Sequence, residues 1–202
     1  YAPIITSQPQ SQMVLAGSQV TFTAAFHAVP QALLQWKVST DNGTSFTIIP
    51  SANAPSLTIP VTLSTMNGHL YRLYISNIKG TTLSSTVALT VEYAPTIVIQ
   101  PQPQTVAAGE SATFAAAFDG FPTPMLQWQV STDNGTSFVN APLGTGASYT
   151  TLPATPAMHN NLYRVMLSNS RGTEISNAAA LTVEYAPIIT SQPQSQMVLA
   201  GS

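Results

Sequence analysis

The length, composition and charge of this chain exclude several kinds of function at the outset. Of 202 residues, 44% are hydrophobic and only 6% charged, and five Lys/Arg against seven Asp/Glu leave a net charge of −2. This is enough apolar matter for a core, but there is no basic patch for a phosphate backbone and no apolar run near the roughly 18 residues of a membrane span. With no cysteine at all, disulfides, thiolate metal sites and Cys nucleophiles are also excluded.

In chain order, YAPIITSQPQSQMVLAGS (1–18) reads as a linker and first strand segments, ending in an Ala-Gly turn. VTFTAAF (20–26) alternates, with Val20, Phe22, Ala24 and Phe26 on one face. LLQWKVS (33–39) sets Leu34, Trp36 and Val38 against Gln35, Lys37 and Ser39. STDNGTSF (39–46) then holds Asn42-Gly43, a hairpin signal because both central residues of such a turn need positive φ. LYRLYIS (70–76) alternates Tyr71, Leu73 and Ile75 with Arg72, Tyr74 and Ser76, and VALTV (87–91) aligns Val87, Leu89 and Val91. Short segments of period two with turn signals between them predict an all-β antiparallel sandwich.

From Tyr93 the order starts again. Trp36 recurs as Trp128, LYR at 70–72 as 162–164, and the Asn42-Gly43 turn as Asn134-Gly135, always 92 positions on, with no gap. Of 92 aligned positions, 46 are identical. Residues 185–202 then repeat residues 1–18 letter for letter. The expected organisation is a module at 1–92, a second at 93–184, and the first strand segments of a third at 185–202. A 184-residue pair is the higher-order unit, and a parent protein that continues in both directions is expected.

These residues resemble those of immunoglobulin-like domains of the intermediate type, in the tandem, cysteine-free form found on bacterial surface proteins. Trp36 and Trp128 stand where that family has its strand-C tryptophan, and Tyr71 and Tyr163 where it has its tyrosine-corner residue. Ala116, Phe118, Gly120, Pro122, Pro124 and Trp128 match its spacing in the second copy, Phe118 departing at a small-residue position. SNIKGT (76–81) and SNSRGT (168–173) resemble its F–G turn. The resemblance implies tandem Greek-key β-sandwiches joined end to end. It also places the family's two cysteines on Ala24 and Leu73, and on Ala116 and Val165. A small residue facing a branched one fills that space, and packing replaces the 2–4 kcal/mol that a disulfide typically contributes.

The last strand runs into the next module through Glu92, Tyr93 and Pro95, and through Glu184, Tyr185 and Pro187, without a Gly/Ser linker. Proline restrains its own φ and the residue before it, so a semi-stiff rod is expected. Candidate ligand sites are weak. One Asp per loop, Asp41 or Asp133, is too few for calcium, and a lone Glu at each junction is better read as a linker charge. The Asn-Gly-Thr sequon reads as accidental. His27, His69 and His159 have Asp119, Asn161 and Asn67 as counterparts, so no histidine recurs. Lys37 and Lys79 have Gln129 and Arg171 as counterparts in the second copy, which argues against a shared isopeptide crosslink. Arg72 with Tyr74, and Arg164 with Met166, lie outward on strand F and are the first candidates for lateral contact.

The expected function is structural. The chain is a repeat of a secreted or cell-surface bacterial fibre, stalk or filament that acts by length, stiffness and packing. Its partners are neighbouring modules and identical chains. It is not an enzyme and carries no cofactor. The alternative is an adhesin or carbohydrate-binding module that holds a glycan or host protein in its loops.

Overall fold

The computed structural model describes residues 1–187, 189 and 191–197. Among them are nineteen strands and two single-turn 3-10 helices. In chain order the strands are β1 (Ile4–Ser7), β2 (Gln12–Leu15), β3 (Val20–Thr23), β4 (Ala25–His27), β5 (Leu33–Ser39), β6 (Thr47–Ile48), β7 (Ser56–Ile59), β8 (Leu70–Asn77), β9 (Gly80–Leu83) and β10 (Val87–Ile99). They continue as β11 (Gln104–Ala107), β12 (Thr113–Ala115), β13 (Ala117–Phe121), β14 (Met125–Ser131), β15 (Val139–Asn140), β16 (Ser148–Thr150), β17 (Leu162–Asn169), β18 (Gly172–Ile175) and β19 (Ala179–Glu184). Of the expected third start at 185–202, residues 188, 190 and 198–202 lie outside the described residues.

Two compact units emerge. One comprises Tyr1–Val98 with Phe118–Met125 and Leu167–Glu174, the other Ile99–Ala117, Leu126–Met166 and Ile175–Ser202. These units and the 92-residue period divide the chain differently, and β10 runs thirteen residues without a break past the end of the first repeat. Its first half pairs with β8 and, in parallel, with β2, and the same strand borders β13.

In the first unit, β3 pairs with β7 on one side of the core, and the sheet built on β5, β8 and β10 covers the other. In LYRLYIS, Tyr71, Leu73 and Ile75 are buried while Arg72 and Tyr74 are half-buried on the outer face. Trp36 is fully enclosed, its ring 6.4 Å from that of Phe22, which stacks on Tyr71 at 5.0 Å. Burying each such side chain contributes about 1.5–3 kcal/mol. The indole N–H is not left unpaired: it donates to the Ala54 carbonyl at 3.0 Å.

The second unit repeats the pattern. Trp128, Phe114, Val165 and Leu181 are fully enclosed, Phe114 stacks on Tyr163 at 4.6 Å, and Trp128 donates to the Gly146 carbonyl at 2.9 Å. Here Tyr149 joins the aromatic cluster, its ring 6.2 Å from that of Trp128. Leu57 holds the corresponding place in the first unit.

Two expectations need correction. VTFTAAF is not one strand: β3 ends at Thr23 and β4 begins at Ala25, because the segment changes partner there from β7 to β1. Ala24 bridges the change, its N–H bonded to the Pro55 carbonyl at 3.0 Å, and Phe26 beyond it is only half-buried. The space under the tryptophan is also not filled alike in both copies. Ala24, Leu73 and Val165 are buried, but Ala116 is half-buried.

Where the sheet would be continuous, a hydroxyl interrupts it. Between β9 and β10, the Ser84 Oγ accepts the Leu73 N–H at 2.8 Å and donates to the Ser85 carbonyl at 2.9 Å. Ser176 does the same for Val165 at 2.9 Å. Each buried serine satisfies an amide opposite the gap between the two strands, which would otherwise be costly to bury.

Candidate functional site

The Asn-Gly segments form turns. Asn42 and Gly43 have φ of 55° and 90°, and Asn134 and Gly135 have 57° and 88°, the values a type I′ turn requires. The connection is longer than a two-residue hairpin, however, since β5 ends at Ser39 and β6 begins at Thr47. The Asp41 carboxylate organises the extra residues. It accepts from the Ser39 hydroxyl at 2.7 Å, from the Ser45 N–H at 2.9 Å and from the Ser45 hydroxyl at 2.6 Å. The Ser39 Oγ in turn accepts the Gly43 N–H at 2.8 Å. These bonds favour the charged form and hold the Asp41 carboxyl at about 2, led by the Ser39 hydroxyl. Asp133 sits at about 2 for the same reason, led by Ser137. The carboxylates are thus committed to their own loops. Among the described residues, no three His, Asp or Glu gather as a metal site.

The outer face of β8 differs from that of its counterpart β17. The Arg72 guanidinium carbon lies 3.7 Å from the Phe46 ring centroid, and that of Arg164 lies 3.7 Å from Phe138. The two cations expected as lateral contacts are therefore stacked on aromatics of the neighbouring β5–β6 and β14–β15 loops. Arg164 Nε also donates to Gln129 Oε1 at 2.9 Å. The residue directly opposite Arg72 is Lys37, which has no acceptor, and the buried Arg72 Nε has no partner. The Lys37 ammonium instead lies 4.9 Å over Tyr74, and Met166 holds the tyrosine's place in the second copy. An open groove of about 440 Å³ borders Tyr74, lined also by Leu33, Gln35, Ile48 and Asn53.

The histidines have separate local roles. His159 Nδ1 accepts the Val183 N–H at 3.2 Å, as the Asn67 side-chain oxygen accepts the Val91 N–H at 3.0 Å in the first copy. This shared acceptor role explains why His and Asn interchange. His69 is half-buried beside Tyr71, and burial lowers its pKa; His27 is exposed.

The start of each copy is held by the β8–β9 or β17–β18 turn. Asn77 Nδ2 donates to the carbonyls of Tyr1 and Pro30 at 3.0 and 2.9 Å, while its Oδ1 accepts the Lys79 N–H at 2.9 Å. Asn169 does the same with Tyr93, Pro122 and Arg171 at 2.9, 2.8 and 2.8 Å. In the first unit Glu92 pairs with Arg171 at 2.5 Å, the one salt bridge among the described residues. The Tyr93 hydroxyl donates to Asp119 at 2.8 Å, and Pro95 is buried. Glu184, Tyr185 and Pro187 are exposed.

The sequence alone gives no role to Asn77 and Asn169, nor to Phe46, Phe138, Ser84 and Ser176. Their available signal is identity in both copies, where only half of the aligned positions are shared.

Fold and site together define tandem immunoglobulin-like β-sandwich domains. Residues 97–185 match a family described as a domain of unknown function (DUF8696). Endoglucanase C of Cellulomonas fimi is 34% identical over 184 residues, which cover 91% of this chain and 16% of that protein. The chain thus spans about a sixth or less of the length of the curated relatives it matches first. Among solved structures, the two-domain DIP-gamma IG1+IG2 superposes with a TM-score of 0.66 at 15% identity, covering 92% of this chain and 99% of that one. Sidekick-1 immunoglobulin domains 1–4 superpose with a TM-score of 0.64 at 19% identity, covering 90% and 47%. No helix among the described residues is long and apolar enough to cross a membrane.

Proposed function

We propose that this chain is a non-catalytic stretch of a tandem immunoglobulin-like array in a secreted or cell-surface bacterial protein. It acts as a stalk, fibre or filament segment by length, stiffness and packing, with modules at 1–92 and 93–184 and a third starting at 185. The observation that carries the reading is β10, one unbroken strand from Val87 to Ile99 across the point where the sequence repeats. A strand bonded along both halves resists bending far more than a flexible coil. The match to a small share of a bacterial endoglucanase supports an accessory role in a larger secreted protein.

Small-angle scattering of this chain and of a chain carrying residues 1–184 twice tests the reading. Each module adds about 40 Å, given about 3.3 Å per strand residue, so the duplication lengthens the particle by about 80 Å. A compact particle, or scattering of a freely jointed chain, would overturn it.

A second reading, a glycan- or protein-binding module, is favoured by one observation. An open groove of about 580 Å³ lies beside the β4–β5 loop, lined by Phe26, Val29, Pro30, Gln31, Asn53 and Pro55. Loops commonly carry binding on such scaffolds. Specific retention on a glycan array, lost on replacing Gln31 and Asn53, would favour it over the structural one.

A further inference from the structure

We infer that Glu184 is half of an ion pair whose other half is the lysine at position 79 of the next copy of the 184-residue unit. The partner is thus a second copy of this same unit, following in one chain. The inference rests on the array reading above and adds the contact that closes each unit onto the next.

The Glu92–Arg171 pair supplies the template. Glu92 ends the strand segment that pairs in parallel with β2, opposite Leu15. Its side chain is only 12% exposed, and Arg171 reaches it at 2.5 Å. Arg171 is held there by its turn. Asn169 ties the turn to the Tyr93 carbonyl, and a Cβ added at Gly172 would lie 3.2 Å from the Ala94 Cβ. The turn therefore rests on Tyr-Ala, and the residue before that tyrosine is delivered to the base two positions after the asparagine.

All parts of the acceptor recur around Lys79. Asn77 ties the turn to the Tyr1 carbonyl, its Oδ1 accepts the Lys79 N–H, and a Cβ added at Gly80 would lie 3.1 Å from the Ala2 Cβ. Lys79 is exposed and has no ion-pair partner among the described residues. What precedes this tyrosine in an array is written in the chain itself: the second occurrence of YAPIITSQPQSQ begins at Tyr185, directly after Glu184.

The donor recurs as well. Glu184 ends β19 opposite Ala107, in the register that Glu92 has with Leu15. Yet Glu184 is exposed where Glu92 is mostly covered. In a chain with twelve charged residues, the sign is kept at both ends of this contact: Glu at 92 and 184, a base at 79 and 171. Arg and Lys make different pairs, since Arg offers a planar fork and Lys a single ammonium. The array therefore alternates two kinds of closure.

The lysine makes the test specific. In a chain carrying residues 1–184 twice, a zero-length carbodiimide activates a carboxylate. A touching lysine amine then displaces the urea and leaves an amide. The expected dominant product of Lys79 in the second copy joins it to Glu184 of the first. It disappears in Glu184→Gln and in Lys79→Arg. The same lysine acetylates severalfold more slowly than Lys79 of the first copy, which has no glutamate before its tyrosine. In the 202-residue chain, Arg171→Lys creates a Glu92 crosslink as a positive control. Products spread over other carboxylates, or equal acetylation of the two lysines, would overturn the pairing. Scattering separates the two readings: an elongated duplicate without the crosslink overturns the ion pair alone, and a compact one overturns the array.

Discussion

Replacing Lys37 with glutamine should stabilise the first repeat, although it removes a charge from a chain that has few. Arg72 Nε is buried and unpaired, and the residue across from it on β5 is a second cation. The other copy shows the remedy, since Gln129 Oε1 accepts Arg164 Nε at 2.9 Å. A buried donor without a partner costs about 1–3 kcal/mol, and a bond from a charged donor returns a similar amount. Against this, Lys37 gives up its position 4.9 Å over Tyr74, about 0.5–1 kcal/mol at an exposed site. The net gain is about 1 kcal/mol, or roughly 4–8 °C in Tm for a domain of this size. Calorimetry of the whole chain reads it, and the reciprocal Gln129→Lys should lower the other repeat's transition by a like amount. If Lys37→Gln leaves its transition in place and Gln129→Lys does too, the unpaired Nε carries no cost and the reasoning fails.

Ser84→Ala strips the acceptor from the buried Leu73 N–H and should cost about 1–3 kcal/mol in urea titration; Ser84→Thr, which keeps the hydroxyl, should cost less. Trp36→Phe loses the bond to the Ala54 carbonyl and leaves a void, and a loss of about 2–4 kcal/mol is expected by the same titration. For Asp41 and Asp133 the folded carboxyl titrates at about 2, below its ordinary 3.8. A depressed folded pKa stabilises the native loop above pH 3.8, and this contribution fades as pH falls towards about 2. Side-chain NMR should place both midpoints near 2, and calcium should not move them; a midpoint near 4 would show that the serine bonds do not persist in solution.

The strands that cover the core were legible because their alternation is strict: Tyr71, Leu73 and Ile75 inward, Arg72 and Tyr74 outward. The break at Ala24 was not, since a change of strand partner leaves the alternation intact and depends on where β1 and β7 end. The Asn42-Gly43 turn was legible from its backbone demand, but the loop length was not, because Asp41 sets it through side-chain bonds. The stacking of Arg72 on Phe46 was also hidden. Both residues recur in the second copy, but they lie in different elements, and only the folded loop brings them together. Glu92 read as a solvated linker charge because its partner Arg171 is 79 residues away.

The parallel pair of β2 and β10 has a mechanical consequence. Tension on the chain pulls β2 from its beginning and β10 from its end, so the two strands are drawn in opposite directions along their length. The ladder from Gln12–Leu89 to Leu15–Glu92 is therefore loaded in shear. Its bonds must yield together, not one after another from an end. Since β10 continues to Ile99, the same pull passes into the next stretch of chain through backbone already held in a sheet. A flexible linker in that place would extend first under load, whereas a strand held in a ladder yields only when its hydrogen bonds do.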